Sequence, residues 1–317
     1  MAEAARKGLF DKRKIALARA RFHAWWEGED FNEEAALAAI EAAANVEPPA
    51  VAGPDELFDA LPFDMPPRLT ALMALWGDGR VRPGASASEK AELALLGIAP
   101  EGALAVLGPG LEAPVLAIAA DHPGKIEVFE WRDETFEALQ HRVRQAKLDE
   151  RVGMARIDLE APNFPASFYD GMISIDDFTY SGHPPHLALQ VVKCLKPGAG
   201  VVIECYVGLP SAELATAFAS AFGEPQIRAH GDLLTAFTEA GLVLEIDEDL
   251  TSDMLDMARH GFKQLSEALA GAKLEVAAAQ ELAWEAGAWR TRMRLMAQKR
   301  LERRRFVLRR PIGEAAE

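Results

Sequence analysis

Three successive apolar runs in the middle of the chain each lead into an acidic residue. The first ends at Glu130, the second leads to Asp158, and the third ends at Asp176 and Asp177. Short apolar runs bounded by polar turns are typical of parallel strands that are covered by helices on both faces. In an open sheet of this kind the carboxyl ends of the strands share one edge, where ligands bind. The pattern therefore predicts an α/β fold with an acidic ligand site.

A glycine turn precedes these runs. Leu104 to Leu107 is predicted as a short buried strand, and Gly108-Pro109-Gly110 follows it directly, before a helix-like segment from Val115 to Ala120. Glycine takes backbone angles that other residues resist, which lets the chain pass closely under a ligand. A Gly-x-Gly alone is equally typical of a simple tight turn. The spacing to Glu130, which ends the next strand, is what indicates a ribose-containing ligand.

This series resembles the class I S-adenosylmethionine-dependent methyltransferases, over roughly residues 88 to 249 and a final strand near 304 to 309. The resemblance implies a Rossmann-like, doubly wound seven-stranded sheet whose last strand is antiparallel. It also implies S-adenosylmethionine as the cofactor. The residues that carry it are the Gly108-x-Gly110 turn, Glu130, the run from Arg151 to Asp158, Tyr169-Asp170, and Leu195-Lys-Pro-Gly198.

The resemblance assigns each part of the cofactor to a strand end. The glycine turn lines the methionine part, and the carboxylate after the second strand holds the ribose hydroxyls. The pair after the third strand flanks the adenine, and the acid after the fourth faces the transferring methyl group. The implied cofactor-binding residues are Gly108, Gly110, Glu130, Asp158, Leu159 and Asp176.

Two positions depart from the family's pattern. The family usually has an acid where Val106 stands and a third glycine where Glu112 stands. Val106 removes a carboxylate that helps to organise the loop, and Glu112 adds bulk and charge unless its side chain points away. Two hypotheses therefore stay open. The chain either methylates a small-molecule or protein acceptor, or it is a catalytically inactive methyltransferase-like subunit that serves as an assembly or regulatory partner.

The richest polar segment runs from Asp176 to His186. His183 or His186 could take a proton from a hydroxyl or amine acceptor, because histidine titrates near neutral pH. The alternative is that both are exposed loop residues. The catalytic candidates are thus Asp176, His183 and His186. Asp176 and Asp177 have no further oxygen ligands near them in the sequence, so no metal site is predicted.

Composition and charge limit the kinds of molecule that the chain is expected to bind. The chain has 317 residues, of which 50% are hydrophobic, and a formal net charge of -15. This charge disfavours nonspecific binding to nucleic acid or to anionic membranes. Arg290 to Arg310 is nonetheless a basic stripe with ten basic residues and one acid. The stripe either contacts RNA phosphates or an acidic partner protein, or it is a solvated face or one paired with acids of the same chain.

The cysteines and the chain's first residues bear on its compartment. Cys194 and Cys205 are predicted to be buried free thiols. No secretory signal and no uninterrupted membrane-spanning run is evident, so we expect a soluble, cytoplasmic protein.

Helical regions flank the predicted sheet. Residues 1–85 are predicted as an N-terminal helical region and residues 86–317 as the methyltransferase domain, with a helical insertion over about 250–300. Ser86 and Glu89 have the spacing of a capping box, which predicts a helix start. The added helices either close over the strand ends as a lid or pack against a partner subunit, such as a second copy in a homo-oligomer.

Overall fold

The computed structural model describes residues 32–35, 37–38, 63–208, 227–269 and 274–312. The chain divides into two compact units, Met1–Pro62 and Phe63–Glu317. In the first unit the described residues 33–35 and 37–38 are helical. Most of residues 1–62 of the predicted N-terminal helical region lie outside the described residues, and so do residues 211–222, which the sequence also predicts to be helical. The sheet and its helices belong to the second unit.

Seven strands of the described chain form one mixed sheet. They are β1 (Leu104–Leu107), β2 (Ile126–Glu130), β3 (Val152–Arg156), β4 (Tyr169–Ile175), β5 (Leu195–Gly208), β6 (Val243–Asp249) and β7 (Leu301–Arg309). Their order across the sheet is β3-β2-β1-β4-β5-β7-β6. Neighbours among β1 to β5 are parallel, and β7 runs antiparallel to both β5 and β6. The Rossmann-like seven-stranded fold with an antiparallel last strand is confirmed.

Helices connect the strands and cover both faces of the sheet. They are α1 (Pro67–Trp76), α2 (Ser86–Leu96), α3 (Glu112–Asp121), α4 (Asp133–Gln145), α5 (Asp177–Tyr180), α6 (Pro184–Cys194), α7 (His230–Glu239), α8 (Thr251–Leu269) and α9 (Val276–Ala297). In the described part of the chain, none of the helices is long and apolar enough to span a membrane.

Strand residues alternate between two apolar layers, because successive side chains of a strand point to opposite faces. On β1, Leu104 and Val106 belong to the layer formed with α2, α3 and α4. Leu107 belongs to the layer formed with α6 and α7. Both faces are covered, which accounts for the continuous apolar sequence of the strand. Cys194 and Cys205 lie in the second layer as buried free cysteines, as predicted.

A third apolar cluster lies beside the sheet, where α1, α8 and α9 pack together. The ring of Trp76 on α1 meets Phe262 on α8 at 6.0 Å and Trp289 on α9 at 4.7 Å between centroids. Leu111 and Tyr206 also belong to this cluster, which joins it to the glycine turn and to β5. Helices α8 and α9 occupy the region predicted as a helical insertion, and α1 packs with them.

The start of α2 differs from its prediction. Ser86 is the first helical residue rather than the N-cap, and the N-cap Ala85 makes no side-chain cap. The Glu89 carboxylate instead pairs with the buried Arg80, with 2.6 Å between Nη1 and Oε1. The capping-box prediction is wrong because a charge-assisted bond to arginine is the stronger use of that carboxylate.

Candidate functional site

The glycine turn after β1 has a backbone conformation that only glycine adopts readily. Gly108 has a φ of +65° and Gly110 a φ of +83°, in the left-handed region that disfavours other residues. A Cβ on Gly108 would collide with the Asp177 carboxylate, and one on Gly110 would collide with the Val81 side chain. The turn therefore brings backbone atoms close to groups that a side chain would displace.

Glu130 is fully buried at the end of β2 and accepts hydrogen bonds through both oxygens. Oε2 accepts the N–H of Gly110 at 3.1 Å, and Oε1 accepts the backbone N–H groups of Trp131 and Arg132 at 3.0 and 3.1 Å. The Arg132 guanidinium adds a bidentate pair, with Nε–Oε1 at 2.7 Å and Nη2–Oε2 at 2.9 Å. A ligand hydroxyl that binds this carboxylate must displace the guanidinium.

Asp177 closes the site beneath the turn. Its fully buried carboxylate accepts the Ser174 hydroxyl at 2.8 Å and the Trp131 indole N–H at 3.1 Å. Burial raises the pKa of Asp177 to about 7; the Ser174 hydrogen bond opposes this rise, and the nearby Glu130 and Asp176 carboxylates add to it. Asp177 therefore changes its charge near neutral pH.

Asp176 has a left-handed φ of +72° where β4 gives way to α5. Its carboxylate pairs with the buried Arg303 guanidinium of β7, whose Nη2 lies 3.2 Å from Glu204 Oε2. Burial works to raise the pKa of Asp176, but the charges of Arg303, Arg82 and Arg292 outweigh burial and hold the pKa below its usual value. Asp176 is thus an ionised carboxylate in positively charged surroundings.

A cavity of about 920 Å³ opens beside these groups and is called the first cavity below. Its volume is typical of small-molecule sites, which occupy about 300 to 1,000 Å³. Asp176 and the residues after β2 line it from the sheet, and α1 and α9 line it from the opposite side. Helix α9 contributes Glu281, Trp284, Glu285, Trp289 and Arg292.

A second cavity of about 550 Å³ adjoins the first and is lined by Asp158 and Leu159. Trp131 and Tyr180 line both cavities, and their ring centroids are 5.1 Å apart. These two aromatic side chains therefore lie where the second cavity, near β3, meets the first cavity, near β4 and β5.

The predicted site residues separate into two groups. Gly110 contacts Glu130 directly, Asp176 lines the first cavity, and Asp158 and Leu159 line the second. His183 and His186 belong to the other group: His183 is the N-cap of α6 and His186 lies in its first turn. Both are exposed and line neither cavity. Their catalytic assignment stays a prediction.

Glu112, which stands where the family usually has a third glycine, points away from the strand ends. Its buried carboxylate pairs with Arg142 of α4, with 2.7 Å between Nε and Oε1. Asp78 shares the same guanidinium, with 2.5 Å between Nη2 and Oδ1. The residue that replaces the third glycine thus ties α3 to α4 and leaves the turn open.

Val106, which stands where the family usually has an acid, is fully buried in the apolar layer with α2 and α3. The turn is instead organised by Arg82, whose Nη1 donates to the carbonyl oxygens of Gly108 and Pro109 at 3.0 and 3.1 Å. A guanidinium from the preceding loop therefore fixes the loop for which the family generally uses a carboxylate.

Sequence reasoning missed several residues of the first cavity. Trp131 and Arg132 directly follow Glu130, so their position after a strand end was an available signal. Tyr206 lies near the end of β5, where the same signal applied. No local signal marked Arg82, because Gly108 and Pro109, whose carbonyl oxygens it binds, lie 26 and 27 positions further along the chain.

Four of the ten basic residues of the stripe from Arg290 to Arg310 form ion pairs with acids of the same chain. Strand β7 carries four of its arginines, and the neighbouring β5 and β6 supply most of the acids. These four arginines are therefore paired within the chain, and contact of the stripe with RNA stays a prediction. The pairs are Arg303 with Asp176 and Glu204, Arg304 with Asp247 and Glu302, Arg305 with Glu204 and Glu248, and Arg309 with Glu245.

Within the described ranges, no group of three or more histidine, cysteine, aspartate or glutamate side chains could hold a metal ion. Asp176 and Asp177 instead bond to arginine, serine and tryptophan side chains.

The strand order, the antiparallel β7 and the glycine turn together define the fold of class I S-adenosylmethionine-dependent methyltransferases. No protein-family model and no curated protein sequence matches the chain. Solved structures do match its fold. Phosphoethanolamine N-methyltransferase 2 of Haemonchus contortus, in complex with S-adenosyl-L-methionine, has a TM-score of 0.67 and 19% identity over 83% of this chain. The match covers 61% of that chain, so this chain spans less than two thirds of it.

Two further matches extend over most of the other protein. Geranyl diphosphate C-methyltransferase from Streptomyces coelicolor A3(2) has a TM-score of 0.55 and 17% identity over 71% of this chain and 79% of that chain. The cyclase SpnF has a TM-score of 0.65 and 15% identity over 81% of this chain and 96% of that chain. Identities this low establish the shared fold, and the reaction must be argued from the site.

Proposed function

We propose that this chain binds S-adenosylmethionine along the carboxyl ends of β1 to β4 and directs its methyl group to a small-molecule acceptor under α1 and α9. The observation that carries the proposal is the buried Glu130 carboxylate, which the N–H of Gly110 joins to the glycine turn. A carboxylate at this strand end accepts hydrogen bonds from ribose hydroxyls in dinucleotide-binding sheets.

The residues present fit such a cofactor. Gly108 and Gly110 form a cradle that a Cβ would fill, and they would hold the methionine part. Asp158 and Leu159 would flank the adenine in the second cavity. When bound, S-adenosylmethionine supplies an already activated methyl donor. The protein's contribution is then mainly alignment of the acceptor for in-line displacement.

On cofactor binding, the ribose hydroxyls would replace the Arg132 guanidinium as the hydrogen-bond partners of the Glu130 carboxylate. In the structure its guanidinium occupies both carboxylate oxygens. Release of Arg132 to the wall of the first cavity would leave those oxygens to the two ribose hydroxyls. Glu130 would stay hydrogen-bonded in both states, which limits the free-energy cost of the exchange.

Asp176 would orient the acceptor at the methyl-receiving position. Its pairing with Arg303 keeps it ionised, so it can accept a hydrogen bond from a hydroxyl or amine of the acceptor. A carboxylate with a lowered pKa is a weak base. We therefore assign Asp176 to orientation rather than to proton removal.

A small acceptor is supported by two observations. The first cavity has the volume of a small-molecule site and is bounded by helices on the side opposite the sheet. Two solved structures of this fold are named for small-molecule substrates, phosphoethanolamine and geranyl diphosphate. The alternative of an inactive subunit rested on Val106 and Glu112. It loses part of its basis because the Glu112 carboxylate is directed to Arg142.

Calorimetric titration of the full chain with S-adenosylhomocysteine tests the proposal. We expect a micromolar Kd for the parent and at least about a tenfold weaker Kd for Glu130→Gln, equivalent to about 1.4 kcal/mol. Glu101→Gln is the matched control, because Glu101 is exposed away from both cavities. Absence of binding by the parent at millimolar ligand would overturn the proposed function.

A further inference from the structure

A third cavity, of about 280 Å³, lies among α2, the start of α8 and the strands β5 and β7. Among its lining residues, Arg82 is the one that also lines the first cavity, and none lines the second. The exposed residues Ala87, Glu248 and Asp253 form part of its wall. The cavity therefore reaches the protein surface at a place distinct from the candidate methyl-transfer site.

A buried carboxylate without a hydrogen-bond donor lines this cavity. Glu92 of α2 is only 2% exposed, and its Oε2 has no hydrogen-bond partner within the described residues. Burial raises the pKa of Glu92 well above its ordinary value, and the nearby carboxylates of Glu204 and Glu89 raise it further. A buried oxygen that lacks a donor is destabilising, so a donor group in the cavity would be bound favourably.

The charges around the third cavity favour a cation. Three of its five carboxylates pair with arginines, whereas Glu92 and Asp253 form no ion pair in the described part of the chain. A cleft in which one sign of charge is in excess attracts ligands of the opposite sign. The carboxylates are Glu89, Glu92, Glu204, Glu248 and Asp253, and the guanidinium groups are Arg82, Arg303 and Arg305.

The cation is organic rather than metallic. Over the ranges that the structure describes, no group of three or more acidic, histidine or cysteine side chains could hold a metal ion. An ammonium group instead needs only acceptor atoms, because it carries several N–H donors and no acceptor. Its bond to a carboxylate is charge-assisted and therefore strong.

The same wall also has an N–H without an acceptor. Arg303 is 1% exposed, and its Nη1 and Nη2 pair with Asp176 and Glu204. Its Nε is buried and makes no hydrogen bond within the described residues. A neutral oxygen on the ligand would satisfy this N–H, whereas an anionic oxygen would be repelled by the surrounding carboxylates.

We infer that the third cavity binds a small organic ammonium ion whose N–H donates to Glu92 Oε2 and whose hydroxyl oxygen accepts from Arg303 Nε. The side chains of Met254 and Met257 line the same space and would contact the ligand's alkyl part. The volume lies just below the range of about 300 to 1,000 Å³ for small-molecule sites, so the ligand is small. The inference is independent of the proposed function, because Glu92 lines neither the first nor the second cavity.

Calorimetric titration of the full chain at pH 7 tests the inference with 3-aminopropan-1-ol, which carries both groups. We expect it to bind at least about tenfold more tightly than butyramide, which is neutral, and than tetramethylammonium, which has no N–H, at concentrations up to about 10 mM. Butylammonium, which has the N–H donors but no oxygen, should bind with intermediate affinity.

Two variants assign the binding to this cavity. Glu92→Gln keeps the shape of the side chain and removes its charge, and it should weaken 3-aminopropan-1-ol binding at least about tenfold. Glu101→Gln is its control, because Glu101 is exposed and does not line the cavity. Ala87→Phe narrows the cavity at its exposed wall and should weaken binding by a similar factor. Ala94→Phe is the control for bulk, because Ala94 is exposed on the same helix and lies outside the cavity.

Four results would overturn the inference: no binding of 3-aminopropan-1-ol, equal binding of butyramide or tetramethylammonium, butylammonium binding as tightly, or unchanged binding in Glu92→Gln. Ala87→Phe decides the last point if Glu92→Gln does not fold. The proposed function fails by a different result, the absence of S-adenosylhomocysteine binding by the parent.

Discussion

Two parts of the candidate site are built in different ways. The proposed cofactor half, defined by the Gly108–Gly110 turn, Glu130, Arg132 and Asp177, consists of residues at or directly after the ends of adjacent parallel strands. The proposed acceptor half lines the first cavity, is assembled from distant segments of the chain and is defined by Arg82, Asp176, Tyr206, Trp289 and Arg292. The proposed cofactor half thus comes from strand ends alone, whereas the proposed acceptor half combines Asp176 and Tyr206 of the sheet with side chains of the loop before α2 and of α9.

The largest effect is expected where the acceptor half joins the sheet. Arg303→Gln removes the buried guanidinium that the Asp176 and Glu204 carboxylates share. Breaking a buried pair by removing one partner costs about 3 to 5 kcal/mol, and we expect a loss of this size in urea unfolding. Arg300→Gln, at an exposed position, is the control. A loss as small as that of the control would show that this junction is not structurally important.

A smaller but more selective effect is expected in the cofactor half. Gly108→Ala places a Cβ against Asp177 at a φ of +65°. We expect S-adenosylhomocysteine affinity to fall at least about 30-fold, or about 2 kcal/mol, by calorimetry. Gly231→Ala is the control, because a Cβ there meets no atom within 4 Å. Unchanged affinity in Gly108→Ala would separate the turn from cofactor binding.

The pH dependence of stability should report on Asp177. Its pKa of about 7 in the folded state lies above its ordinary value of 3.8, so between these values the folded state binds a proton that the unfolded state has lost. Stability should therefore fall as pH rises from about 4 to 7 and level off above that range, by about 1 kcal/mol per pH unit. Urea unfolding of the parent and of Asp177→Asn from pH 5 to 8 measures this. Parallel pH profiles of the two proteins would contradict the burial argument.

Arg132→Gln should act in the opposite direction on binding. Because Arg132 occupies the oxygens that the ribose requires, its removal should tighten S-adenosylhomocysteine binding by about threefold, equivalent to about 0.6 kcal/mol. Lys125→Gln removes a positive charge at an exposed position and serves as the control. Weaker binding by Arg132→Gln would mean that Arg132 holds the cofactor instead of competing with it.

The smallest effect is expected at the two histidines proposed from the sequence. His183 and His186 are exposed outside both cavities, so alanine at either position should leave turnover of the small-molecule acceptor within about twofold, since surface changes are usually near neutral. Formation of S-adenosylhomocysteine measures turnover. A tenfold fall in either variant would establish the catalytic role that the sequence suggested.

The fold and much of the cofactor half were predictable because their signals are local. The run from Leu104 to Leu107 is buried on both faces of its strand, and Glu130 ends the next strand, so apolar pattern and spacing identified both. The continuous burial from Leu104 to Leu107 could be predicted without knowledge of distant residues. Parallel strands align their ends by the geometry of the sheet, which is why these residues meet.

The acceptor half could not be predicted in the same way. Asp176 and Arg303 are separated by 127 positions, and their pairing depends on β7 lying next to β5. Glu89 had a good local partner at the helix start, yet it pairs with Arg80. The sequence left open whether the Glu112 side chain faces the ligand or points away from it. It points away, because its carboxylate pairs with the Arg142 guanidinium. In each case a distant or competing charge, absent from the local pattern, determines where the side chain goes.

A crystal structure of the full chain with S-adenosylhomocysteine is the most direct measurement of the central claim. The account predicts the ribose hydroxyls on the Glu130 carboxylate, with the Arg132 guanidinium displaced from it and the adenine beside Asp158 and Leu159. Density for the ligand away from β2, or an Arg132–Glu130 pair that persists with the ligand bound, would contradict the account.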